Sequence, residues 1–192
     1  MTETYLTDEE GTFLLRLARR TIEEALAEES TETLPSSPTQ RLEEPGATFV
    51  TLHTRSGALR GCIGSLAARR PLVEDVRSNA LAAAFEDPRF PPLKRSELSD
   101  VVVEISVLTP AKPLEYQDPQ ELLEKLRPGV DGVVIERGWH RATFLPQVWE
   151  QLPRPEKFLA HLCYKAGLSA RAWQEGDLSV SIYEVQKFEE DV

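Results

Sequence analysis

Apolar and polar positions follow a helical period near the N-terminus of the chain. Residues 7–10 form a capping-box pattern, in which Thr7 is the N-cap and Glu10 reaches back to it. The pattern predicts a first helix that runs to about Glu29, with its apolar positions at Phe13, Leu14, Leu17, Ala18, Ile22, Ala25 and Leu26. Residues 30–46 are rich in Pro, Ser, Thr and Glu, which predicts a surface loop.

Two strand patterns and a second helix follow this loop. Residues 48–54 and 59–66 predict a hairpin that turns at Ser56-Gly57. Pro71 suits the first turn of the helix. The predicted buried side of that helix consists of Leu72, Val73, Val76, Ala80, Ala83 and Ala84. Three prolines within residues 87–92 then require a rigid turn, because proline stops a helix.

The second half of the chain continues the alternation of strands and helices. Asp118 and Pro119 are the cap and first residue of a third helix, and Gly167 is a left-handed cap after a fourth. The other predicted elements are strands at 101–108, 133–135, 142–145 after a turn at Gly138, and 179–188, with the fourth helix at 156–166. The order α-β-β-α-β-α-β-β-α-β contains adjacent hairpins. It predicts an α+β fold in which α-helices flank a largely antiparallel β-sheet.

Length and composition indicate an ordinary globular protein. The 192 residues fit one domain, or one domain with a small lobe, and 41% of them are hydrophobic. No apolar run approaches the roughly 18 residues of a membrane span. Residues 1–10 lack the basic-then-apolar pattern of a signal sequence. We therefore expect a cytoplasmic protein without a membrane segment.

The charge is uneven along the chain. The formal net charge is −10, and residues 1–46 hold eleven acids and four bases, which gives −7. Five arginines lie between residues 47 and 77, at positions Arg55, Arg60, Arg69, Arg70 and Arg77. This local basic bias fits either a small anionic ligand or a solvated arginine-rich face. The overall acidity argues against nucleic acid, which needs a broad basic surface.

The predicted hairpin separates apolar from polar side chains. If Ser56-Gly57 is a two-residue loop, Thr51 faces Cys62 and His53 faces Arg60. One face of the hairpin then carries Val50, Leu52, Leu59 and Ile63, and the other carries Thr51, His53, Arg60 and Cys62. A nearby arginine or protonated histidine activates a thiol. Cys62 is therefore a packing residue, a ligand contact or a catalytic nucleophile.

Other candidates have both structural and functional interpretations. Glu104 and Ser106 interrupt an apolar strand, so Glu104 either has a partner such as an arginine or lies on the solvated face of an edge strand. Asp87 and Arg89 pair with each other or cap the second helix, and Cys163 has core spacing. The motifs of common metal and nucleotide sites are missing from the sequence, so we expect no metal and no cofactor of these types.

Six ordered blocks of sequence carry a family resemblance. They are Leu59-Arg60-Gly61-Cys62-Ile63-Gly64, Asp87-Pro88-Arg89-Phe90, Glu104-Ile105-Ser106-Val107-Leu108, Asp131-Gly132, Phe144-Leu145-Pro146-Gln147-Val148 and Leu162-Cys163-Tyr164-Lys165-Ala166-Gly167-Leu168. Over essentially the whole chain, this pattern resembles the AMMECR family, called AmmeMemoRadiSam system protein A in prokaryotes.

The resemblance implies a single AMMECR-type domain over residues 1–192, with two unequal lobes, the second smaller, and a groove near Arg60 and Cys62. It also implies association with a Memo-type protein and a radical-SAM enzyme. It transfers no catalytic residue. Together with the hairpin pattern, it leaves Cys62 as the candidate catalytic residue. The candidate substrate-binding residues are Arg60, Gly61, Gly64, Thr51, His53, Asp87, Arg89, Glu104 and Gln147.

Two main hypotheses of function follow. In the first, the protein is a catalytic or substrate-binding component of a three-part system, in which Arg60 and Arg89 hold an anionic group next to Cys62. In the second, it is a non-catalytic interaction module, or adaptor, whose motif glycines serve tight packing and whose groove takes a partner segment. A third hypothesis, an RNA- or tRNA-associated protein, is opposed by the acidity of the chain.

Overall fold

Two antiparallel sheets organise the part of the chain that the computed structural model describes, residues 5–26 and 39–191. The helices are α1 (Asp8–Leu26), α2 (Leu72–Phe85), α3 (Pro119–Lys125) and α4 (Pro155–Lys165). The strands are β1 (Pro45–Thr54), β2 (Leu59–Gly64), β3 (Arg70–Pro71), β4 (Val101–Leu108), β5 (Lys112–Pro113), β6 (Gly132–Arg137), β7 (His140–Phe144), β8 (Ser179–Tyr183) and β9 (Val185–Glu189). This architecture confirms the predicted α+β fold.

The chain divides into two units, each with its own core. The first unit comprises Met1–Leu108 and Gln186–Val192, and the second comprises Thr109–Val185. The sheet of the first unit has the order β2-β1-β4-β9, with β3 paired to β1, while α2 packs on β1 and β2 and α1 packs on α2 and β4. The sheet of the second unit has the order β5-β8-β6-β7, and α4 packs on β7.

Local signals in the sequence are reproduced in the first unit. The backbone N–H of Thr7 donates to Glu10 Oε2 at 2.8 Å and that of Glu10 donates to Thr7 Oγ1 at 3.2 Å, which is the predicted capping box. All six apolar residues predicted for the inner side of α2 are buried. The end of the first helix beyond Leu26 and residues 30–38 of the predicted loop lie outside the described residues. Residues 40–43 of that loop form a short 3-10 helix, and β1 begins at Pro45.

The prediction of one last strand at 179–188 is wrong. Residues 179–183 pair in the sheet of the second unit as β8, whereas β9 pairs with β4 in the sheet of the first. The break falls at Glu184, whose backbone N–H donates to Thr109 Oγ1 at 2.8 Å and whose carbonyl accepts from Thr109 N at 2.9 Å. Strand-forming residues stand on both sides of Glu184, and no glycine or proline marks the break, so a single strand is what the pattern predicts.

A buried carboxylate that sequence patterns did not reveal ties α2 to β1. Asp75 is 1% exposed, and its Oδ2 accepts from Thr48 N at 2.8 Å and from Asn79 Nδ2 at 2.9 Å. Its Oδ1 accepts from Ser65 Oγ at 2.8 Å and from Arg70 Nε at 3.0 Å. A buried carboxylate needs such partners, so one arginine of the basic segment is used inside the fold.

Gly61 sets the distance between β2 and α2, and this makes a first prediction. A Cβ at this position would lie 2.1 Å from the backbone carbonyl oxygen of Ala83, so Gly61→Ala must displace the helix. We expect a loss of about 3 kcal/mol in the free energy of unfolding, measured by urea denaturation. Gly57→Ala is the comparison, because Gly57 has a φ of +85° with open space around its Cβ position; it should cost about 1 kcal/mol. Equal losses in the two variants would contradict the close-approach argument.

Candidate functional site

The hairpin of β1 and β2 brings Cys62 opposite Thr51. The pairs Val50–Ile63, Thr51–Cys62 and Leu52–Gly61 are those predicted from the sequence. Thr51 also lies opposite Glu104 of β4. Side chains of directly opposed residues share a face of the sheet, so Cys62, Thr51 and Glu104 form a row across three strands.

The predicted pairing of His53 with Arg60 is wrong. His53 lies opposite Leu59, and the register shifts between Leu52 and His53. The turn is one residue longer than predicted, because Thr54 N donates to the carbonyl of Ala58 at 2.8 Å and Gly57 adopts a positive φ. One extra residue on β2, Arg60, therefore forms a bulge, and such bulges change the direction of a side chain.

Asp87 and Arg89 hold the backbone of Cys62 from outside the sheet. Strand β2 is an edge strand. The N–H of Cys62 donates to Asp87 Oδ2 at 2.8 Å, and Arg89 Nη2 donates to the carbonyl of Cys62 at 3.2 Å. We call this arrangement the Asp87–Arg89 clamp. It supplies at one residue the donor and acceptor that a further strand would supply.

The clamp is itself an ion pair, which confirms one of the two alternatives for these residues. Arg89 Nε donates to Asp87 Oδ1 at 2.9 Å and Arg89 Nη2 donates to Asp87 Oδ2 at 2.7 Å. Asp87 is buried, whereas about half of the Arg89 side chain is exposed. The hydrogen bond from Arg89, helped by the backbone N–H groups of Cys62 and Arg89, holds the pKa of Asp87 well below its usual range, although burial opposes this.

The thiol of Cys62 lies between a hydroxyl and a guanidinium group. Thr51 Oγ1 donates to Cys62 Sγ at 3.3 Å, and the Cys62 residue is partly exposed. The pKa of Arg89 is raised, mainly by its hydrogen bond to Asp87 and further by the neighbouring Cys62 thiol. Cys163 differs in every respect: it is fully buried in the core of the second unit, as predicted, and burial raises the pKa of its thiol.

Arg60 lies beside this clamp with one nitrogen unsatisfied. Its residue is 8% exposed, and its Nε and Nη2 donate to the two carboxylate oxygens of Glu97 at 2.8 and 3.2 Å. Nη2 also donates to the carbonyl of Pro91 at 3.0 Å, but the buried Nη1 has no hydrogen-bond partner among the described residues. The guanidinium carbons of Arg60 and Arg89 lie 5.9 and 5.6 Å from the centre of the Phe90 ring.

The space beside the two motif glycines, Gly61 and Gly64, is filled by other parts of the protein. A Cβ on Gly61 would meet the backbone of Ala83, and one on Gly64 would meet the Phe49 ring and the carbonyl of Thr48. The protein itself therefore occupies the space that these glycines leave. This observation does not remove them from the site, but it gives each a packing role.

The remaining candidates lie in different surroundings. Glu104 accepts from Ser106 Oγ at 3.4 Å and lies 3.4 Å from Lys187 Nζ, so its partner is a lysine rather than the arginine named as an example. The alternative of an edge strand is wrong, because β4 lies between β1 and β9. His53 stays at the turn end of β1, opposite Val102 of β4. Gln147 is exposed on a 3-10 helix of the second unit, Pro146–Glu150.

Neither a metal-binding cluster nor a membrane-spanning helix occurs among the described residues. In residues 5–26 and 39–191, no group of three His, Cys, Asp or Glu side chains is placed to hold a metal ion. In the same part of the chain, the helices are all too short or too polar to cross a membrane.

Comparisons with known proteins agree with the fold and with the predicted family. The AMMECR1 family matches residues 15–188, so the chain belongs to this family. A protein of Methanopyrus kandleri is 42% identical, covering 97% of this chain and 91% of its own, and one of Methanocaldococcus jannaschii is 43% identical, covering 96% and 92%. The crystal structure of an uncharacterized protein from Pyrococcus horikoshii is 41% identical, with a TM-score of 0.75, over 97% of this chain and 94% of that one. The predicted membership of the family is confirmed.

The clamp makes a second prediction, on stability against pH. A carboxyl group whose pKa is lowered on folding contributes stability above its unfolded pKa of about 3.9, and this contribution disappears as the pH falls below that value. We expect Asp87→Asn to lower the free energy of unfolding by about 2 kcal/mol at pH 7 and by progressively less below about pH 4. Urea denaturation over this pH range measures both effects. Asp100→Asn, an exposed aspartate of the same unit, should change little, and a pH-independent loss in Asp87→Asn would contradict the role of the charge.

Proposed function

We propose that this AMMECR1-family chain is a catalytic or substrate-binding component whose reactive group is the Cys62 thiol. The observation that carries the proposal is the clamp: the same ion pair holds Cys62 through its N–H and its carbonyl and places a guanidinium group near its thiol. A partly exposed thiol beside a fixed cation is an arrangement found at cysteines that act as nucleophiles.

A cysteine that only fills space needs none of these contacts. Cys163 shows what such a residue looks like in this chain, because it is fully buried among apolar side chains. Cys62 is instead partly exposed, and it accepts a hydrogen bond from Thr51. The contrast supports a chemical role for Cys62 and gives each experiment an internal control.

The third prediction concerns the reactivity of this thiol. In the folded protein at neutral pH, iodoacetamide should alkylate Cys62 while Cys163 stays unlabelled until the protein is unfolded, as read by peptide mass spectrometry. Arg89→Gln should slow the alkylation of Cys62 about fivefold, because it removes the neighbouring positive charge, and Arg89→Lys should restore most of the rate. Arg95→Gln, an exposed arginine of the same unit, serves as the control variant.

Two results would count against the proposal. One is protection of Cys62 in the folded protein to the same degree as Cys163. The other is an alkylation rate that Arg89→Gln leaves unchanged while circular dichroism shows an intact fold. In either case the clamp would be a purely structural device.

The partners of the proposed component are a Memo-type protein and a radical-SAM enzyme, as the resemblance implies. In a reconstituted three-protein system, Cys62→Ser and Arg60→Ala should each lose activity, whereas full activity in both variants would rule out this use of the site. Circular dichroism of the same variants separates loss of chemistry from loss of fold.

A non-catalytic adaptor is the second candidate function, and exposed aromatic residues favour it. Trp139, at the turn between β6 and β7, is fully exposed, and Tyr164 of α4 is 78% exposed. Tryptophan and tyrosine are enriched among the residues that dominate protein interfaces. The packing roles of Gly61 and Gly64 are also those that an adaptor would need.

The adaptor hypothesis makes a fourth prediction. If the chain binds a Memo-type or radical-SAM partner through its exposed aromatic residues, Trp139→Ala should weaken binding in a pull-down at least tenfold without changing the fold. Leu66→Ala, an exposed leucine of the first unit, is the matched control. Binding that is lost in Cys62→Ser but kept in Trp139→Ala would instead favour the first proposal, and the absence of binding to either partner would contradict the adaptor.

A further inference from the structure

Two arginine nitrogens beside the Cys62 site lack a hydrogen-bond partner among the described residues. The side chain of Arg60 is nine-tenths buried, and its Nη1 is a buried donor without a partner among the described residues. Arg89 uses its Nε and Nη2 on Asp87 and on the Cys62 carbonyl, and its side chain is half exposed. In both residues, therefore, Nε and Nη2 are bound internally, and Nη1 makes no hydrogen bond to the part of the chain that the structure describes.

An unsatisfied buried donor is costly, so one in a folded protein calls for an explanation. Buried polar atoms almost always have hydrogen-bond partners, and the exceptions concentrate where a water or a ligand is bound. Nη1 of a guanidinium group is only a donor and remains charged at all relevant pH values. Its partner must be an acceptor, and an anionic oxygen forms the strongest such bond.

The two guanidinium groups share a neighbour. Both guanidinium carbons lie within 6 Å of the centre of the Phe90 ring. The rigid turn of residues 87–92 carries Arg89 and Phe90, and the bulge of β2 carries Arg60. The sequence motifs around Arg60 and Arg89 thus meet at one aromatic ring, and Arg89 lies next to the Cys62 thiol.

The charges in this region are balanced by pairs. Glu97 and Asp87 neutralise Arg60 and Arg89, and the ammonium group of Lys94 lies near enough to help lower the pKa of Glu97, after the larger effect of Arg60. The two ion pairs are neutral, so Lys94 gives this group of residues a small positive excess. The site therefore offers directed donors more than a strong field, which suits a small anion and not a polyanion.

We infer that Arg60 and Arg89 hold an oxyanion group of the substrate through their Nη1 atoms, with the Phe90 ring beside it and the Cys62 thiol within reach of the rest of the molecule. This inference rests on the proposed function, because it takes Cys62 as the reactive group. The chemistry common to the candidate ligands is a small molecule that carries a carboxylate or a phosphate next to an electrophilic centre. Either group presents two oxygens, one for each arginine.

A pair of alkylating reagents tests the inference directly. Iodoacetate and iodoacetamide transfer nearly the same group to a thiolate: a sulfur–carbon bond forms, the carbon–iodine bond breaks and iodide leaves. Only iodoacetate carries a carboxylate. We expect the ratio of the two alkylation rates at Cys62, iodoacetate over iodoacetamide, to exceed by about tenfold the ratio for a synthetic peptide of residues 58–66.

Competition and variants complete the experiment. Malonate and inorganic phosphate, each compared with chloride at equal ionic strength, should slow the reaction of iodoacetate at Cys62 in a saturable way. Protection by malonate alone identifies a carboxylate substrate, and protection by phosphate alone identifies a phosphate substrate. Arg60→Lys and Arg89→Lys should bring the rate ratio back towards that of the peptide, and Arg95→Gln should leave it high.

The outcomes separate this inference from the proposed function. If Cys62 reacts with iodoacetamide but shows no preference for iodoacetate and no protection by either anion, the oxyanion site is refuted and the reactive thiol stands. If Cys62 reacts with neither reagent in the folded protein, the proposed function fails and the inference fails with it. The competition arm uses the unaltered chain, so an arginine variant that does not fold cannot hide the answer.

Discussion

The geometry of the candidate site depends on one half-buried ion pair, Asp87 with Arg89, at the edge of a sheet. An edge strand presents unpaired N–H and carbonyl groups, and a fold must cover them or leave them open to other chains. In this protein the side chains of Asp87 and Arg89 take both groups of Cys62. Because the clamp replaces a strand on the outer side of β2, Cys62 keeps its place on the sheet with β1 as its one neighbouring strand.

The residues around Cys62 follow from this constraint. Gly61 lets β2 approach the backbone of α2, so the strand lies where the end of that helix delivers Asp87. Arg60 occupies the bulge, and the bulge directs it to Glu97 and Phe90 and not to His53. The prolines after Asp87 restrict the backbone of the turn. Each of these residues has a local structural role. Together they place a thiol, two guanidinium groups and an aromatic ring in one region.

Local patterns were sufficient for the helices, for the longer strands up to residue 183 and for part of the site. The capping box at Thr7, the buried side of α2 and the Thr51–Cys62 pair depend on residues near each other in the sequence, where spacing determines geometry. The Arg60 bulge depends on a turn that is one residue longer than expected, and the sequence allows both lengths. Strand β9 leaves the sheet of β8 at Glu184 because of contacts with Thr109, which lies far away in the chain.

The same distinction explains why a count of charges was misleading. Five arginines in a short segment suggested either a basic face or an anion site. Charged residues produce a strong electrostatic field at the surface only when they are not paired with opposite charges. Arg60 and Arg70 bind Glu97 and Asp75, and Arg55 donates to the carbonyl of Ser99. Glu97 and Asp75 belong to no motif, so no spacing rule would have found them. What the pairing leaves is a small number of directed donors, and recognition at this site must therefore depend on the geometry of hydrogen bonds more than on net charge.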